Sequence, residues 1–191
     1  MTTAAVLTTH ERVIAAAAEL TLEVGWAGVT MAKLAERVGV SRQTVYNEVG
    51  SKPQLAEEMV LAELAKFLAV VDTAFDEHPH DLVEAIRAAS RGVLELARRN
   101  ALLQAVVSAS YGAETELLPL LTTRNDALML TATQAVQRRV ATYPIDIDAR
   151  HLDAAVEMVV RLVLSHVVHP LGEPAATADD IAWIVGRALR P

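Results

Sequence analysis

Apolar residues recur at three- and four-residue intervals along almost the whole chain, and nowhere alternate with polar ones long enough to make a strand. Val13, Ile14, Ala17, Leu20 and Val24 share one helical face. Thr8, followed three residues later by Glu11, forms a capping-box pattern, and Gly25 suits a helix C-cap. These signals predict a first helix over roughly 8–24. Thr30 caps a second helix that Gly39 ends. Ser41 caps a third over 42–49, which Gly50 breaks. A fourth starts at Lys52-Pro53, because proline suits a first helical turn, and runs to about Phe75, before the loop His78-Pro79-His80. Five more follow over roughly 81–99, 101–111, 115–142, 148–168 and 178–189, with breaks at Gly112, Tyr143-Pro144 and Pro170 to Pro174. The predicted fold is all-α, with about nine helices.

Two late segments carry more apolar surface than one core face needs. In 148–168, Leu152, Val156, Val159, Val163 and Val167 form one stripe, while Ala155, Val160 and Leu164 lie elsewhere. Only Asp153, Glu157, Arg161 and Ser165 make a polar row. A helix patterned this way is buried on two sides, one against its own body and one against a partner. Ile181, Ile184, Val185 and Leu189 keep a similar register in the last helix.

Composition narrows the class. Of 191 residues, 52% are hydrophobic and only 4% aromatic, which gives ample core material and leans helical. There is no cysteine, so disulfides and thiolate chemistry are excluded. No signal peptide or membrane-spanning run is evident, so a cytoplasmic protein is expected. The net charge of −7 argues mildly against nucleic acid as a partner, but its distribution reverses that. Residues 31–52 hold four basic side chains against two acidic ones, whereas 61–191 hold 12 basic against 17 acidic.

That basic stretch satisfies the constraints of a helix-turn-helix. Two short helices crossing steeply need a small residue at the crossing, which Ala35 supplies. The turn needs a residue tolerant of positive φ, which Gly39 supplies. The second helix needs an apolar seal, which Val45 supplies, with Leu34, Val38 and Val40 completing the small core. The stretch GWAGVTMAKLAERVGVSRQTVYNEVGSKPQLAEEM also resembles the DNA-binding domain of the tetracycline-repressor (TetR) family, over roughly residues 10–60. Gly25, Val29-Thr30, Ala35, Gly39-Val40-Ser41, Thr44, Tyr46 and Lys52 carry the resemblance.

The resemblance implies a helix-turn-helix DNA-binding domain over 1–52 and a helical effector-binding and dimerisation domain over 53–191. It implies base contacts from Arg42, Gln43 and Thr44, at the start of the recognition helix. Phosphate contacts are implied for Tyr46, Lys52 and Thr30. Glu48-Val49 departs from the His-Phe common in the family. Glu48 would be repelled by phosphate unless it faces away, and Val49 fills less core. A homodimer formed through 148–168 and 178–189 would bind a palindromic operator. A small apolar or amphipathic effector would sit among helices spanning 81–142, with Gln104, Val107, Ser108, Tyr111, Leu121, Asn125 and Arg161 as lining candidates.

The expected function is therefore a bacterial transcriptional repressor released by its effector. A regulator controlled by a protein partner, and an activator, are the alternatives. An enzyme is not expected, since no phosphate-binding loop, dinucleotide fingerprint, GxSxG or HExxH occurs. No cofactor is expected. His166 and His169 lie one turn apart without a convincing third ligand, so no metal is expected either.

Overall fold

A computed structural model describes residues 7–108, 117–122 and 125–189. Among them are ten helices and no strand: α1 (Thr9–Gly28), α2 (Met31–Val38), α3 (Arg42–Val49), α4 (Lys52–Glu77), α5 (Leu82–Arg99), α6 (Ala101–Ser108), α7 (Leu118–Leu121), α8 (Asp126–Val140), α9 (Ala149–Val168) and α10 (Pro174–Ala188). The all-α expectation holds. The single helix expected over 115–142 is instead α7 and α8, flanked by Thr122 and Asn125, residues that favour caps and turns over helix interiors. The last helix begins earlier than expected because Pro174 occupies its first turn and starts the helix rather than ending a loop.

The chain divides into two compact units, with α4 running through both and the division falling between Glu63 and Leu64. The first unit takes α1 to α3, the start of α4, and α6 with most of α7. Its core is Val13, Ala17, Leu20, Trp26, Val29, Leu34, Val45, Leu55 and Met59, all nearly inaccessible to water. Gly25, at φ 73°, interrupts α1 as expected, but a further turn follows and carries Trp26 inward. Val24, expected on the buried face, is exposed, while Trp26, in the turn beyond Gly25, is buried.

In the second unit, α10 packs along α5, and α9 packs against α5 and α8. Gly92 of α5 closely approaches Val70 of α4; an added Cβ would lie 2.6 Å from a Val70 methyl. Phe75 and Tyr143 meet edge-to-face with centroids 5.9 Å apart, and the Tyr143 hydroxyl donates to the His78 carbonyl at 2.8 Å. Burial pushes the Tyr143 hydroxyl pKa upward.

On α9 only Val156 and Val168 are fully buried, while Val159, Val160, Leu162, Val163, Leu164 and Val167 are half-exposed. Ile184 differs from its expected place. It is exposed with Trp183, while Ile181 and Val185 take the buried side of α10. The reason is that α10 turns Ala178, Ile181, Ala182 and Val185 inward, which leaves Trp183 and Ile184 on the opposite side.

Candidate nucleic-acid interface

The capping residues read from the sequence define the local structure. The Thr30 hydroxyl accepts from the Lys33 amide at 3.2 Å, and the Ser41 hydroxyl accepts from the Thr44 amide at 3.0 Å. Gly39 lies at φ 76°, ψ 37°, the left-handed conformation that closes α2 and turns the chain into α3. Ala35 is buried at the crossing, and its carbonyl accepts from both the Gly39 and Val40 amides. Val45 and Val49, one turn apart, bury the inner face of α3. Val49 is 2% exposed, so the smaller side chain still closes the core.

Burial of that face fixes the other. Arg42, Gln43, Tyr46 and Asn47 are exposed along α3, and Arg42 makes no ion pair among the described residues. Thr44 is half-buried, with its hydroxyl 2.9 Å from that of Ser41. Gln43 donates to the Asn47 side-chain oxygen at 2.9 Å, which orders the Gln43 amide. Asn47 is absent from the candidates read in the sequence, although its i+4 spacing from Gln43 is a usable signal.

Lys52 is more constrained than a free phosphate ligand. Its ammonium donates to the Trp26 carbonyl at 2.8 Å and lies 3.5 Å from that of Ala27. It also sits 4.9 Å from the centre of the Trp26 ring. An ammonium has three N–H groups, so these carbonyls leave one for another acceptor. Ser51 and Gln54 cap α4 reciprocally, since the Gln54 side chain accepts from the Ser51 amide at 2.8 Å.

Glu48 points toward α1. Its carboxylate is 4.0 Å from the His10 ring, and its backbone carbonyl lies 2.9 Å from His10 Nδ1. Arg12 donates to the Val38 carbonyl and fastens α1 to the turn. Arg37 grips Glu23 at 2.6 Å and Glu19 at 3.3 Å, which joins α2 to α1 and holds the Glu23 carboxyl below its ordinary pKa.

The effector candidates are distributed over both units. Gln104, Val107 and Ser108 lie on α6 of the first. Gln104 and Ser108 are exposed and Val107 is half-buried. Leu121, buried, and Asn125, half-buried before α8, belong to the second, as does Arg161. Arg161 is exposed on α9 and paired with Glu157 at 2.7 Å. Tyr111 lies outside the described residues. No group of three metal-ligating side chains capable of holding an ion occurs among the described residues.

A two-helix element with a left-handed glycine turn, a sealed inner face and an exposed basic-polar outer face is the geometry of a helix-turn-helix DNA-binding regulator. Residues 13–59 match the family described as bacterial regulatory proteins, tetR family, and residues 81–187 match the bacterial tetracyclin repressor C-terminal domain. The HTH-type transcriptional regulator AlkX of Mycobacterium tuberculosis is 30% identical over 182 residues, covering 92% of this chain and 82% of that relative. Among solved structures, the TetR family repressor AlkX from a Dietzia species, implicated in biodegradation of n-alkanes, aligns over 95% of both chains with 26% identity and a TM-score of 0.77. The regulator FadR of Bacillus subtilis, solved with stearoyl-CoA, shares the fold at 15% identity and a TM-score of 0.56, over 91% of this chain and 96% of that one. The chain belongs to the TetR family of DNA-binding transcriptional regulators.

Proposed function

We propose that the protein is a repressor that binds a palindromic operator as a homodimer and leaves it on taking up a small apolar or amphipathic molecule. The observation that carries this reading is the outer face of α3. Arg42, Gln43 and Tyr46 stand exposed around a helix whose other side is sealed by Val45 and Val49. Arg42 and Gln43, with Thr44 beside them, are the base-reading residues, and Tyr46, Thr30 and the remaining N–H of Lys52 meet phosphate. Residues 1–52 serve as the reading head and 53–191 as the effector and dimer domain.

The dimer reading rests on apolar surface left open on α9 and α10. Met158, Trp183 and Ile184 are 64%, 63% and 50% exposed, and the Arg187 guanidinium lies 5.4 Å from the Trp183 ring centre. A soluble chain gains by covering such a surface with a second copy. An apolar effector suits the aliphatic composition of the helices over 81–142, and the family's AlkX and FadR relatives are named with alkane degradation and with a bound acyl-CoA. No helix among the described residues is long and apolar enough to cross a membrane.

The test is selection of a duplex from a random-sequence library, followed by binding measurements across a salt series. The expected winner is palindromic and binds one dimer, with affinity falling steeply as salt rises. Arg42→Ala should relax base preference with a loss of about 1–3 kcal/mol. Recovery of no preferred sequence would refute the reading.

A further inference from the structure

We propose that Asn47 is a positioning residue that sets base specificity: it accepts a hydrogen bond from the Gln43 amide and so holds that amide ready to read an adenine. The inference rests on α3 being the recognition helix and deepens that reading. Gln43 and Asn47 stand one turn apart on α3, both exposed on the face away from the buried Val45 and Val49. Gln43 Nε2 donates to Asn47 Oδ1 at 2.9 Å.

The direction of that bond matters. A side-chain amide has one carbonyl oxygen and two N–H groups. In the major groove adenine offers an acceptor at N7 and a donor at N6, and glutamine matches both with its oxygen and one N–H together. The bond to Asn47 takes a single N–H, so Gln43 keeps its oxygen and a second N–H, the two groups an adenine requires. In the reverse direction, with Asn47 donating, the reading oxygen itself would be shared. An acceptor at position 47 therefore selects the useful orientation.

The neighbouring polar groups are engaged elsewhere. The Thr44 hydroxyl lies 2.9 Å from that of Ser41, and the Glu48 carboxylate is turned toward His10. Among the described residues Asn47 is the one hydrogen-bond partner of the Gln43 side chain. Without it, a long exposed side chain has to be immobilised when DNA binds, and that ordering opposes association. The cost falls only on a duplex that Gln43 actually reads. A duplex lacking the adenine leaves the side chain loose and escapes it, so losing the prior ordering lowers discrimination rather than binding in general.

The experiment measures affinity at fixed salt for the library-selected duplex and for duplexes changed at each base pair in turn. The proteins are the wild type, Gln43→Ala, Asn47→Leu, Asn47→Asp and the double variant Gln43→Ala with Asn47→Leu. Gln43→Ala should erase the preference at one base pair, an A·T pair. Leucine has nearly the shape of asparagine without its acceptor, and it suits an exposed helical position. Asn47→Leu should cut the preference at that same base pair by about fivefold per half-site, the cost of ordering one side chain. Its affinity for the duplex changed at that pair should stay as in wild type, and the double variant should lose no more preference than Gln43→Ala. Aspartate keeps an acceptor, so Asn47→Asp should retain the preference while its charge weakens binding to every duplex alike. The proposal is overturned if Asn47→Leu keeps the full preference, or if it weakens all duplexes equally, as a purely structural change would. It is overturned too if Asn47→Asp and Asn47→Leu lose the preference to the same extent, which would make the Asn47 amide itself the reader. A Gln43→Ala variant that loses no base preference, or loses one for a pair other than A·T, refutes the adenine contact. Selection of no duplex would end the recognition-helix reading and this inference together, whereas a selected duplex indifferent to Asn47 removes this inference alone.

Discussion

Lys52→Met isolates what the ammonium at the start of α4 contributes. Methionine keeps most of the apolar stem and removes the charge. Three interactions disappear: the hydrogen bond to the Trp26 carbonyl at 2.8 Å, the long one to the Ala27 carbonyl at 3.5 Å, and the contact with the Trp26 ring at 4.9 Å. A charge-assisted hydrogen bond contributes about 1.5–3 kcal/mol. The low end applies here, because Lys52 is half-exposed and the Trp26 carbonyl keeps a second donor in the Val29 amide at 3.1 Å. A partly exposed cation–π contact adds about 0.5 kcal/mol. The expected loss of stability is about 2 kcal/mol. Urea unfolding in a Trp183→Phe background measures it cleanly, since the chain has two tryptophans and the remaining one, Trp26, is 3% exposed and sits in the first unit. The same variant should reduce the salt slope of DNA binding by about 0.9, the value for one lost phosphate contact. An unchanged urea midpoint would refute the anchoring role derived from these distances. An unchanged salt slope would remove Lys52 from the DNA contacts and leave it as a tie between α1 and α4.

At Gly39 no atom lies within 4 Å of an added Cβ, so only the backbone conformation at φ +76° resists substitution. Gly39→Ala should therefore cost about 1 kcal/mol and Gly39→Asn clearly less, by thermal melting; equal losses would show that packing controls this turn. The Glu23 carboxyl is held below its ordinary pKa chiefly by its hydrogen bond from Arg37. Its contribution is complete above the unfolded-state pKa and is lost as pH falls through the lower folded-state value. Arg37→Ala should consequently narrow the difference in urea midpoint between neutral pH and about pH 4, and an unaltered acid limb would exclude the pair as a stabilising contact.

The reading head is legible in the order of amino acids almost residue by residue. Thr30, Gly39, Ser41 and Gly50 act on backbone groups within a few positions of themselves, so their roles are local and their pattern can be read directly. The inward turn of Ala35, Val45 and Val49 follows from helical periodicity alone. Distances between residues far apart in the chain cannot be read that way. Val24 reads as core yet is exposed, while Trp26, beyond the break at Gly25, is buried. Ile184 fits the register of its neighbours, yet packing on α5 selects the face of α10 that excludes it.

Lys52 and Glu48 make the same point at the site. From sequence each is a charge beside the expected phosphates. Only the fold brings Lys52 onto a carbonyl 26 residues earlier, and Glu48 beside a histidine 38 residues earlier. Local chemistry chose the helices and their caps. Long-range packing chose which charges remain free for DNA and which hold the helices together, because an ion's partner is fixed by position in space rather than by order along the chain.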